Sequence, residues 1–163
     1  MAHILIVDDE PKLGKLLAQM LEGHGHEVER ALGGAAAIEL LRASRFDIVV
    51  TDLRMPGASG LDVLREARRD SPSTDVVLMT AFASAETAVE AMRDGAADYL
   101  VKPFSMEEFR IRVQRLVEKQ ELLGRAREME ERLAGGRGFE HVVGRSPRMR
   151  EVMRQVRQVA PTD

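Results

Sequence analysis

His3-Ile4-Leu5-Ile6-Val7-Asp8-Asp9-Glu10-Pro11 decides how the first hundred residues are read. Ile4 to Val7 is an unbroken apolar run rich in β-branched residues, the composition of a strand buried on both faces. Acids stop it. Pro11 stands where a helix can begin, with Asp9 or Glu10 as its cap. Leu13, Leu16, Leu17, Met20 and Leu21 then return at helical spacing, and Gly23 and Gly25 end the helix. A buried strand followed at once by an amphipathic helix sets up a β-α rhythm.

That rhythm continues. Strands are expected at 27–31, 47–51, 75–79 and 98–101, and helices at 34–43, 61–69 and 84–93. Continuous apolar strands alternating with helices indicate an α/β fold with a parallel sheet covered on both faces. Five such units predict a flavodoxin-like, doubly wound, five-stranded sheet of order 2-1-3-4-5.

After Pro103 the pattern changes. From 105 to 134 there is no proline and no strand signal. Phe109, Val113, Leu116, Leu123, Ala126, Met129 and Leu133 recur mostly three, four or seven apart. They predict one extended C-terminal helix of about 30 residues, or ~45 Å. Its second half is expected to outrun the domain and to pair with a second copy as a dimerising coiled coil. Lys119 and Gln120 interrupt the seam, and Gly124 costs roughly 1 kcal/mol relative to alanine. The plainer alternative is a helix folded back on its own domain. Gly135-Gly136-Arg137-Gly138 reads as a flexible linker. Ser146 and Pro147 look like the cap and first position of a further helix, with Met149, Val152, Met153, Val156 and Val159 as its apolar stripe. The expected organisation is a domain over 1–120, a long helix over 105–134 running out of it, and a linker plus the start of another domain over 135–163.

Charge divides along the same line. The chain carries −3 overall: −6 over residues 1–104 (11 Lys/Arg against 17 Asp/Glu) and +3 over 105–163 (13 against 10). The basic part has no interleaved aromatics, so a solvated helix is a better account of it than nucleic-acid binding. There is no cysteine, which excludes disulfides and thiolate metal sites. No apolar run is long enough for a membrane span. A soluble cytoplasmic protein is expected.

In a doubly wound sheet, ligands bind at the carboxyl ends of the strands, where strand order reverses. Asp8 and Asp9 follow the first strand and Asp52 ends the third, so the topology brings three carboxylates to that crevice. Carboxylates so close repel unless some protonate or a cation sits among them. Oxygen ligands at a hydrated site suit Mg2+. Each acid alone could be a helix cap; three at one sheet edge are harder to explain that way. Thr80 follows the fourth strand and Lys102 the fifth. Alone, the threonine could cap a helix and the lysine could be a solvated surface charge. A hydroxyl and an ammonium beside three carboxylates complete a phosphoryl site, in which a carboxylate oxygen attacks in line while fixed charges stabilise the transferring group.

Ile4-Leu5-Ile6-Val7-Asp8-Asp9-Glu10, Asp52-Leu53-Arg54-Met55-Pro56-Gly57, Thr80-Ala81 and Lys102-Pro103-Phe104 resemble the receiver domain of two-component response regulators. The resemblance covers residues 1 to about 120. It implies that Asp52 is phosphorylated by a sensor histidine kinase. It implies that Asp9, Asp52 and the backbone carbonyl of Arg54 bind Mg2+ directly and Asp8 through water. Thr80 and Lys102 would hold the phosphoryl oxygens, Tyr99 would be the switch aromatic that turns inward with Thr80, and Lys102-Pro103 would be cis. Such a domain catalyses only its own phosphotransfer and slow dephosphorylation. Residues 139–152 and 159–163 resemble the opening of the AAA+ domain of sigma-54-dependent activators of the NtrC class. No Gly-x-x-x-x-Gly-Lys-[Ser/Thr] occurs, so ATP hydrolysis and contacts with sigma-54 RNA polymerase and DNA would belong to missing domains. Two other readings are weaker. A scaffold without chemistry would not need all five of Asp8, Asp9, Asp52, Thr80 and Lys102. A hydrolase of similar topology would need a substrate-covering cap, and no insertion is long enough for one.

Overall fold

The computed structural model describes residues 1–137. The elements in chain order are β1 (His3–Val7), α1 (Pro11–Gly23), β2 (Glu27–Ala31), α2 (Gly34–Ala43), β3 (Ile48–Asp52), α3 (Gly60–Asp70), β4 (Asp75–Thr80), α4 (Ala85–Arg93), β5 (Asp98–Val101) and α5 (Met106–Arg137). All neighbouring strands are parallel and their order is β2-β1-β3-β4-β5. The fold expected from the rhythm of apolar runs is the fold observed.

Strand alternation divides the interior into two cores. Leu5, Val7, Val49, Val76 and Leu78 face the side covered by α2 and α3, where Val63, Leu64 and Ala67 pack on them. Ile4, Ile6, Val50, Val77 and Met79 face the other side, covered by Leu17 and Leu21 of α1 and by α5. Because the central strands are buried on both faces, their sequences show no polar alternation. Local signals set the helix starts. Ser59 and Asp62 form a reciprocal capping box at α3, Ser84 caps α4, and the Ser105 hydroxyl accepts from the Glu108 N–H at α5. At α1 the expected side-chain cap is not made. Glu10 occupies the cap position with no side-chain bond, and its N–H donates to Asp8 Oδ1 instead, 2.8 Å away.

The long helix requires a correction. Phe109, Val113 and Leu116, read above as the first part of a dimer seam, are buried in the domain's own core together with Val117. A helix that covers one face of a sheet needs an apolar stripe of the same period as a coiled-coil seam, and the two cannot be told apart by spacing. Lys119 and Gln120 do not merely interrupt that stripe. Lys119 Nζ lies 2.8 Å from Asp75 Oδ1, and Gln120 Nε2 donates to Asp75 Oδ2 (2.7 Å) and to the Ser73 carbonyl (2.8 Å). These bonds fasten α5 to the entrance of β4. Residues 1–120 form one compact unit, and the described residues from 121 onward belong to a second. In the second, the described residues continue α5 to Arg137, with Leu122, Leu123, Ala126, Met129 and Leu133 all exposed. Gly135 and Gly136, expected in a flexible linker, lie within the helix. The expected helix after Ser146 and its apolar stripe fall outside the described residues.

Candidate functional site

Four strand ends build the site. Registry aligns Val7 with Thr51, Asp52 with Met79 and Thr80 with Val101. The residues that follow therefore emerge side by side. Two backbone bonds extend the ladder beyond the strands: Leu53 N–H to the Met79 carbonyl and Lys102 N–H to the Thr80 carbonyl, both 2.7 Å. Gly60 lets the β3–α3 loop close over the strand end. A Cβ there would lie 2.3 Å from the Asp52 carbonyl oxygen.

Asp8, Asp9 and Asp52 each offer an oxygen, and these oxygens lie within 4.8 Å of one another. Asp8 is buried, Asp52 half-buried and Asp9 exposed, so the cluster has a closed floor and an open mouth. Lys102 Nζ bridges two of the acids, 3.1 Å from Asp8 Oδ2 and 3.0 Å from Asp52 Oδ2. Burial pushes the Asp8 carboxyl above its ordinary value; the Glu10 N–H and the Lys102 ammonium favour its charged form without reversing that. Burial works to lower the Lys102 pKa. The hydrogen bond to Asp52 and the charges of Asp8 and Asp52 outweigh it and hold the ammonium above its ordinary value. The floor of the site thus has more negative charge than one lysine comfortably satisfies. An all-oxygen, anionic set that is open to solvent at Asp9 suits a hard divalent cation better than a transition metal.

Thr80 is 1% exposed, and α4 is capped by Ser84, so Thr80 is not a helix cap. Its hydroxyl accepts from the Phe82 N–H at 3.1 Å. The backbone N–H of Arg54 lies 3.3 Å from Asp52 Oδ1, which places the loop after β3 against the acidic cluster. The Arg54 guanidinium covers the ring of Phe82, 4.9 Å from its centroid. Tyr99 is half-buried, and its hydroxyl lies 3.0 Å from Thr87 Oγ1 on α4. Lys102-Pro103 is cis. Phe82, Thr87 and the exposed Leu122 were not singled out by the sequence: an aromatic in a loop and a threonine in a first helical turn carry no local signal of what they touch.

Residues 4–114 match the family model described as the response regulator receiver domain. Regulatory protein AtoC of Escherichia coli is 36% identical over 158 residues, covering 97% of this chain and 34% of AtoC. The alginate biosynthesis transcriptional regulatory protein AlgB of Pseudomonas aeruginosa is 38% identical over 162 residues, covering 99% of this chain and 35% of AlgB. The chain spans about a third of the length of these curated relatives. Among solved structures, chemotaxis protein CheY4 of Vibrio cholerae superimposes with a TM-score of 0.67 at 32% identity, covering 71% of this chain and 98% of CheY4. Response regulator protein TrrA of Thermotoga maritima, solved in complex with Mg2+ and BeF, gives 0.64 at 34% identity, covering 71% of this chain and 99% of TrrA.

Proposed function

Because the chain belongs to the response regulator receiver domain family, we propose that it is a phosphorylation switch whose acceptor is Asp52. The observation that carries this is the convergence of Asp8, Asp9, Asp52 and Lys102 at one sheet edge, with Thr80 ending the adjacent strand. A carboxylate oxygen of Asp52 attacks the phosphorus carried by a histidine kinase. The new P–O bond forms as the P–N bond to the donor imidazole breaks. Lys102, already poised between Asp8 and Asp52, pairs with the negative charge of the transferred group. Asp9, Asp52 and the Arg54 carbonyl would hold Mg2+, with Asp8 acting through water. The ion supplies charge neutralisation for the phosphoryl oxygens. The TrrA complex supports this choice of cation.

Thr80 leaves Phe82 for the phosphoryl group, and Tyr99 follows inward. The surface formed by α4, β5 and α5 changes in response, which biases a two-state element by a local change of charge. We place the output in α5. Two copies pair through Leu122, Leu123, Ala126, Met129 and Leu133, and the pairing geometry reports the switch to an AAA+ domain of the sigma-54-dependent class. The alignment of nearly the whole chain with longer transcriptional regulators supports that assignment. Contacts with sigma-54 RNA polymerase and DNA would fall to parts of such a regulator outside this chain, and the cytoplasm is its compartment. No helix among the described residues is long and apolar enough to cross a membrane.

Incubation with Mg2+ and acetyl phosphate, followed by intact-mass measurement, tests the acceptor. The wild-type chain gains one phosphoryl group, and Asp52→Asn gains none. Labelling undiminished in Asp52→Asn would remove Asp52 from its role.

A further inference from the structure

A second hydroxyl network lies outside the acidic site, at the start of α4. Ser84 Oγ accepts from the Thr87 N–H at 3.1 Å. Thr87 Oγ1 in turn lies 3.1 Å from the Ser84 carbonyl, 2.8 Å from Ser84 Oγ and 3.0 Å from the Tyr99 hydroxyl. A threonine hydroxyl has one proton and two acceptor sites. With that proton given to the Ser84 carbonyl, the Tyr99 phenol is the donor to Thr87. The ring of Tyr99 rests against the core on the α2 and α3 side, and only its polar tip reaches α4. Thr80 is tied to the opening of the same segment through the Phe82 N–H. Both residues whose movement would define the switch are therefore bonded to residues 82–87.

We propose that Thr87 is a positioning residue of the switch: its hydroxyl holds Tyr99 in the arrangement in which Thr80 is bonded to Phe82, and so raises the level of phosphoryl signal needed to turn the domain over. The inference rests on the reading of Tyr99 as the aromatic that moves. The Thr87–Tyr99 bond must break before the ring leaves. It therefore lowers the fraction of molecules in the competent state and weakens apparent binding of a phosphoryl mimic in proportion. One neutral hydrogen bond of this kind corresponds to a roughly two- to tenfold change in that fraction.

Tyr99 is the one tyrosine of the 163 residues and there is no tryptophan, so the tyrosine emission of the full chain reports on this ring. Beryllofluoride is titrated with saturating Mg2+ while emission is followed. The wild-type half-point is the reference. Thr87→Val keeps the branched shape and loses the hydroxyl, and its half-point falls roughly two- to tenfold. Thr87→Ser restores the hydroxyl and returns the half-point to the wild-type value. Tyr99→Phe removes the same bond from the other end and leaves the α4 cap untouched. Read by calorimetric titration, it shows the same fall, and adding Thr87→Val produces no further change. A half-point unchanged or raised in Thr87→Val or Tyr99→Phe, or a serine variant that shifts as far as the valine one, overturns the role of Thr87. Wild-type emission that ignores beryllofluoride, while calorimetry shows it binding, defeats the reading of Tyr99 itself and this proposal with it.

Discussion

At Asp8, burial and charge pull in opposite directions. The carboxylate sits on the floor of the site with the Lys102 ammonium 3.1 Å away and the Glu10 N–H on its other oxygen, and its pKa is still raised by desolvation. A folded-state pKa above the unfolded one means that the native state holds the proton more tightly. Stability contributed at this position is therefore full below the ordinary value of 3.8 and falls as pH rises through the raised value. Where the carboxyl is ionised, its buried charge is a cost that a bound cation would offset. Asp8→Asn should accordingly raise the thermal midpoint of the metal-free protein and shrink the increase produced by Mg2+. A gain of ~1 kcal/mol would lift the midpoint by roughly 4 °C in a unit of this size. Calorimetric scans with and without Mg2+ measure both effects, and a lowered metal-free midpoint would contradict the argument. Gly60 acts sterically. A methyl group there meets the Asp52 carbonyl oxygen and the Leu53 Cα, both backbone atoms. Gly60→Ala should cost about 1–3 kcal/mol in urea unfolding and weaken beryllofluoride binding by displacing the loop that follows Asp52.

Within α5 the two halves make different predictions. Phe109 is fully buried and stacks with Phe104 at 5.8 Å between ring centroids. Phe109→Ala should cost about 3–5 kcal/mol and unfold much of the receiver at physiological temperature. Met129→Glu with Leu133→Glu touches exposed positions. It should leave the receiver's unfolding midpoint unchanged while abolishing self-association in sedimentation experiments. Between the halves stands Asp75, nearly buried and bonded to both Lys119 and Gln120. Asp75→Ala removes the Lys119 acceptor and leaves Gln120 with the Ser73 carbonyl alone. It should cost about 1–3 kcal/mol and speed amide exchange around residues 116–120 before any effect reaches the acidic site at the opposite end of β4. Uniform protection across that turn in the variant would show that the helix is held by its apolar face alone.

For the whole molecule, both cores are assembled from residues between Ala2 and Val117. Everything that positions Asp52 thus lies in the first compact unit. A chain ending at Gln120 should fold by itself and bind Mg2+ and beryllofluoride with the affinity of the full chain. The dimerisation proposed through α5 should be lost. Equilibrium sedimentation of the two lengths, each with and without the mimic, separates the contributions. A dimer that persists at full strength in the shorter chain would move the interface from the helix to the receiver surface.

The run Ile4 to Val7 followed by Asp8 and Asp9, repeated in kind at Asp52, made the sheet order and the acidic crevice legible. Buried parallel strands need continuous apolar sequence, and the order 2-1-3-4-5 leaves one place where their ends can gather carboxylates. Those features are local in sequence or follow from topology, so composition and spacing suffice to find them. The fate of Phe109, Val113 and Leu116 was not legible, because a stripe that covers a sheet and a stripe that pairs with a second helix have the same period. Nor could spacing show that Lys119 and Gln120 meet Asp75, that Phe82 lies under Arg54, or that Thr87 meets Tyr99. Each of these pairs joins residues from separate elements. Their contact depends on how helices settle on the sheet, and that was decided by tertiary packing alone.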